Sequence, residues 1–266
     1  MKQMHKIITT ALLMVCLSFL AACETTSSMQ KTTVKTQEPD LMQAAELNTQ
    51  LAVGYIQRKQ YKPARDKLEK AIEQNPNYLP AYKTLAYLYA VLGQPEKAEE
   101  RYQQALELKP LDADLSNNYG AFLCTQGKYD EAQQSFKVAY SDPFYESTYL
   151  AESNAGSCYV EQGNYELGEA FLRKSLRKDP KLAGSLISMA DIAIKTERYL
   201  MARAYIERYN AVKTPTAASL WIQVLAEKNL GAKEYYMKYA REILEKFPDS
   251  DEAGWVEAQA RSDRPR

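Results

Sequence analysis

The sequence predicts an all-α chain, a solenoid of stacked helix–turn–helix units. Two observations carry this reading: a period of 34 residues, and small residues held at fixed offsets within it. Ala64, Ala98 and Ala132 are spaced by 34, as are Ala71, Ala105 and Ala139. Leu51, Leu85 and Tyr119 keep the interval, with Ala52, Ala86 and Gly120 one place further on. Gly93 and Gly127 keep it as well, and so do Tyr61, Pro95 and Tyr129, two residues after each glycine position. Self-similarity at such a period is the mark of a repeat architecture. A single unit cannot bury its apolar stripe alone, so neighbours must stack, and the stack exposes a long surface. That favours an adaptor over an enzyme built around one pocket.

The chain begins with a segment that reads as an address. Lys2 and Lys6 give a positive start, an apolar stretch runs from Ile7, and Leu20-Ala21-Ala22-Cys23 closes it with small residues. The apolar run falls short of the roughly 20 residues a spanning helix needs, so residues 1–22 are expected to be a cleaved secretion signal. The Leu-Ala-Ala-Cys ending resembles the bacterial lipobox. That resemblance implies acylation of Cys23 and, with Glu24 rather than Asp after it, an outer-membrane destination. Residues 23–40 are then the lipidated cysteine and a tether rich in Thr, Ser, Gln and Lys. Such a composition buries little. The repeat domain is expected over 41–255 and a polar C-terminal tail over 256–266.

Aligned on the small residues, the domain divides into six units: 45–78, 79–112, 113–146, 149–182, 183–216 and 217–250. In the second unit the marker positions are Tyr82, Leu85, Ala86, Tyr89, Ala98, Tyr102, Ala105 and Pro110. The first matches with Leu51, Ala52, Tyr55, Ala64, Leu68, Ala71 and Pro76, and the third with Tyr119, Gly120, Leu123, Ala132, Phe136 and Ala139. The third unit's proline, Pro143, comes one place early. The fourth starts two residues late and puts Gly168 where Ala is usual; the sixth is the most divergent. This pattern resembles the tetratricopeptide repeat, and implies a right-handed superhelical solenoid. The offsets have a mechanical basis. The first-helix markers share one helical face, as do those of the second helix. The small residues let paired helices approach, and the proline stops the second helix.

Composition narrows the function. Formal charge is zero and no basic patch is interleaved with aromatics, so no nucleic-acid partner is expected. The sole histidine is His5, within the signal, which leaves the mature chain without the commonest general base and metal ligand. No phosphate loop, nucleophile elbow or paired Cys-x-x-Cys is present. No catalytic residue, metal, cofactor or small-molecule substrate is therefore expected. After Cys23 only Cys124 and Cys158 remain. At about 100° per residue their helical offsets differ by roughly 200°, so one faces forward and the other backward in a stack. They are therefore expected to meet as a disulfide tying the third unit to the fourth; the alternative is two buried thiols serving as small apolar fillers.

Three stretches narrow the class further: Asn117-Asn118-Tyr119-Gly120 with the residues up to Ala132, Asp142-Pro143-Phe144-Tyr145 with Asn154 to Cys158, and Phe247-Pro248-Asp249-Ser250. With the lipobox and six repeats, the chain resembles the type IV pilus biogenesis and stability lipoproteins, pilotins of the pilus secretin. The resemblance implies a periplasm-facing, lipid-anchored outer-membrane protein. It would bind the secretin and promote its localisation and multimerisation, supporting pilus formation and twitching motility. A general repeat lipoprotein that organises peptidoglycan enzymes or outer-membrane assembly factors is the alternative. In the repeat family four offsets of each first helix line the concave groove. Here they give Val53, Ile56, Tyr87, Val91, Asn117, Ile187 and Ile194, an apolar start suited to an amphipathic helix or an extended apolar peptide.

Overall fold

A computed structural model describes residues 40–262. The expected signal, Cys23 and nearly all of the tether lie outside the described residues, as do residues 263–266. The described residues form thirteen helices and no strand. In chain order they are α1 (Leu41–Gln57), α2 (Tyr61–Gln74), α3 (Leu79–Val91), α4 (Pro95–Leu108), α5 (Ala113–Thr125), α6 (Tyr129–Ser141) and α7 (Thr148–Glu161). These are followed by α8 (Tyr165–Lys178), α9 (Ala183–Lys195), α10 (Tyr199–Asn210), α11 (Ala217–Asn229), α12 (Lys233–Lys246) and α13 (Asp251–Ser262). The first twelve pair as six antiparallel hairpins. The first helices of successive units also meet one another: α1 packs on α3, α5 on α7, α7 on α9 and α9 on α11. A Lys83–Asp114 ion pair joins α3 to α5, so the first helices form one continuous row.

The period is visible at the turns. Shortly after each first helix one residue takes a left-handed conformation: Lys59, Gly93, Gly127, Gly163, Glu197 and Gly231, with φ between 58° and 86°. The amide that follows donates to the carbonyl five residues back: Gln60 to Tyr55 at 2.9 Å, Gln94 to Tyr89 at 2.9 Å, Asn164 to Tyr159 at 2.8 Å. This closure satisfies carbonyls that the helix end would otherwise leave open, and the second helix starts within two residues. At the other end of the unit, Pro76, Pro110, Pro180 and Pro248 each stand two residues after a second helix. The early Pro143 has the same relation to α6, which is one residue shorter than α4.

The small residues sit where helices touch. Ala52, Ala64, Ala71, Ala86, Ala98 and Ala105 are all fully buried, around Leu68, Leu85 and Tyr102. Gly168 has a reason of its own. A Cβ there would stand 2.9 Å from Val160 Cγ2 and 3.1 Å from the Gly156 carbonyl oxygen. The backbones of α7 and α8 meet at that point with room for neither side chain.

Three expectations are corrected. The tail drawn at 256–266 is helical up to Ser262. α13 buries Ala253 and Val256 against Leu220, Val224 and Ile243, because the last repeat needs a cover for its apolar face. Leu51, read as a core marker, is 42% exposed whereas its equivalent Leu85 is 1% exposed. The first unit has no described repeat in front of it, so the face that buries Leu85 opens outward at Leu51. The third correction concerns Asn117.

Candidate protein-binding face

The row of first helices presents one face whose two ends differ. At the N-terminal end Val53 on α1 and Tyr87 and Val91 on α3 are 40%, 53% and 45% exposed, although all three are apolar or aromatic. Tyr87 borders a cleft of about 200 Å³ with Lys83, Thr84, Tyr102 and Asn118. Lys83 pairs with Asp114 at its edge and fixes α3 against α5. Tyr102 forms the cleft's floor, tilted against Tyr119 and Phe122 with centroids 5.2 and 5.3 Å away. Burial pushes the Tyr102 hydroxyl far above its ordinary pKa, so it stays protonated. Ile56 is half-buried and packs on the core beneath.

Asn117, expected to line the groove, is only 5% exposed. Its side-chain oxygen accepts a hydrogen bond from Asn154 Nδ2 at 2.9 Å, which ties α5 to α7. Burial raises the Tyr145 pKa, and Asn117 and Asp114 are among the side chains near its hydroxyl. The segment between α6 and α7, which displaces the repeat by two residues, supplies that tyrosine. Its neighbour Phe144 is 90% exposed. Asn117 is thus a buried joint between repeats and offers nothing to a ligand.

Cys124 on α5 and Cys158 on α7 are joined as a disulfide with Cα atoms 5.8 Å apart, linking the third unit to the fourth. The Glu161 carboxylate lies 3.4 Å from the Cys124 sulfur. Glu161 is also one wall of a second concavity, about 350 Å³, at the C-terminal end of the face. Ile187, expected in the groove, belongs to it; Ile194, also expected there, packs on the interior. Sequence reasoning missed this pocket's two aromatic walls, Trp221 of α11 and Trp255 of α13. The second of these lay beyond the last repeat, where no periodic marker points.

Among the described residues no helix is long and apolar enough to cross a membrane, and no cluster of three His, Cys, Asp or Glu side chains is placed to hold a metal. What the face offers is area: open apolar side chains on a row of packed helices. The fold and this face define a tetratricopeptide-repeat scaffold for protein–protein contacts. The tetratricopeptide-repeat pattern itself matches residues 55–115, 102–134 and 126–183.

Comparison with known proteins narrows the class. The crystal structure of PilW, described as a widely conserved type IV pilus biogenesis factor, superposes with a TM-score of 0.74 at 31% identity, covering 80% of this chain and 98% of that one. The structure of PilF from Pseudomonas aeruginosa gives a TM-score of 0.72 at 27% identity, covering 82% and 99% of the two chains. In sequence, the type IV pilus assembly protein PilF of Pseudomonas aeruginosa is 28% identical over 208 residues, which is 78% of this chain and 82% of the relative. The chain belongs to the family of tetratricopeptide-repeat type IV pilus biogenesis proteins that includes PilW and PilF. That is a family of scaffolds and not of enzymes.

Proposed function

We propose that this chain is a pilotin: a lipoprotein, anchored through Cys23 in the outer membrane with its repeats in the periplasm, that binds the type IV pilus secretin. Binding would promote the secretin's outer-membrane localisation and assembly into multimers. The observation that carries this reading is the similarity to PilW over 98% of that protein's length, a pilus biogenesis factor of the same fold. Two features support the finer statement. The Leu20-Ala21-Ala22-Cys23 ending resembles a lipobox, and an exposed apolar row at Val53, Tyr87 and Val91 suits a segment of another protein.

The division of labour follows from the chemistry. Lipid holds the chain at the membrane, the tether gives reach, and the repeat face supplies specificity. None of these steps needs a reacting group. Deleting the gene and following the secretin by membrane fractionation and heat-resistant multimer blotting tests the reading. Loss of outer-membrane multimers with persisting monomer is expected. Normal multimers together with normal twitching would overturn it and leave an adaptor for other cell-envelope partners.

A further inference from the structure

The C-terminal pocket has a chemistry unlike the rest of the first-helix face. Trp221 and Trp255, the only tryptophans in the chain, form one side of it, their ring centroids 5.5 Å apart and their planes tilted by 52°. Trp255 is 48% exposed, a large aromatic left open on a helix that buries Ala253 and Val256. Ile187 supplies an aliphatic wall. Three carboxylates surround these groups: Glu161 from α7, Asp191 from α9 and Glu252 from α13. No Lys or Arg lines the pocket.

The missing cation matters because this chain supplies one elsewhere. Glu99 is paired with Lys128, Glu152 with Lys174, Glu169 with Arg198 and Glu227 with Arg203, each between separate segments of the chain. Among the described residues Glu161, Asp191 and Glu252 have no such ion pair. Desolvation raises the carboxyl pKa values of Glu161 and Asp191, and for Asp191 the charge of Lys195 offsets this only in part. Asp191 and Glu252 are half-buried, and a carboxylate drawn partly out of water without an ion pair costs free energy. It is the arrangement expected where the counter-charge arrives with a ligand. A volume of about 350 Å³ lies within the ordinary range for ligand pockets, about 300–1,000 Å³.

We propose that this pocket takes an arginine side chain presented by a partner polypeptide. A guanidinium is flat, stacks on an indole face and directs its donors in a fork that suits carboxylates. The aliphatic stem would lie against Ile187. The pocket opens on the same row of first helices that carries Val53 and Tyr87, so a polypeptide can enter it from the face. The site recognises charge and planarity together, whereas the N-terminal end recognises apolar area. It does not depend on the partner being a secretin.

Because the only tryptophans line the pocket, intrinsic fluorescence reports its occupancy directly. The full chain is titrated with the peptide acetyl-Ala-Leu-Arg-Leu-Ala-amide, and with the same peptide carrying citrulline, which keeps the shape and removes the charge. A saturable fluorescence change is expected with the arginine peptide, weakened about tenfold or more by citrulline. The Asp191→Asn/Glu252→Gln variant should show a similar loss, and added salt should weaken the arginine peptide only. Equal binding of the two peptides, or no saturable change at millimolar peptide, would overturn the proposal. The citrulline comparison leaves the protein unaltered, so it decides the matter even where the variant folds poorly. A secretin that proves not to be the partner would leave these outcomes unchanged.

Discussion

At the turn after each first helix, Lys59 and Glu197 adopt the left-handed backbone that Gly93, Gly127, Gly163 and Gly231 adopt in the other units. The conformation costs an L-residue roughly 1–2 kcal/mol, partly offset by the larger unfolded-state entropy of glycine. Lys59→Gly and Glu197→Gly are each expected to stabilise the domain by about 0.5–1 kcal/mol in denaturant unfolding. Asp191 gives a pH-dependent case. Burial raises its pKa above the ordinary 3.8, so the folded state holds this proton more tightly than the unfolded state. Its cost to stability is therefore fully present above the raised value and absent below the ordinary one. Asp191→Asn should stabilise the chain at neutral pH, with the gain disappearing as pH falls toward 3.8; unfolding curves across that range check the sign.

At the level of elements, the repeats were legible because each marker has a packing cause. The alanines mark helix contacts, the glycines mark left-handed turns, and the prolines mark where second helices stop. The Cys124–Cys158 pairing was legible as the expected one, because opposite helical faces of successive first helices meet in a stack. Replacing both cysteines by serine is expected to cost about 2–4 kcal/mol, since the bond closes a loop of 34 residues. Guanidinium unfolding of the two forms measures this, and an unchanged midpoint would contradict it. Other features depend on what lies outside the period. Asn117 is buried and bonded to Asn154 where α5 meets α7, and Tyr145 near it comes from an off-register insertion. α13 has no repeat to announce it, and Trp255 becomes part of a pocket only because that helix folds back over α11. The exposure of Leu51 follows from its place at the end of the described row, which an alignment of units treats like any other position.

On the scale of the whole molecule, the described residues form a row of packed helices with two chemically distinct ends on one face. The N-terminal end is apolar and open; the C-terminal end combines two indoles with three carboxylates that make no ion pair among the described residues. Side chains that are exposed on a stable helical row need no ordering of the backbone before contact, which lowers the entropic cost of binding. We propose that the apolar end of this face, at Val53 and Tyr87, is where the secretin binds. The most direct test is co-purification of the secretin with the Val53→Glu/Tyr87→Glu double variant, with thermal unfolding measured in parallel. Both positions are exposed in the folded chain, so the unfolding temperature should stay close to that of the unaltered protein. Secretin binding should fall by about 30-fold or more, as for the loss of a central contact in an interface. Undiminished binding by a folded double variant would overturn this placement.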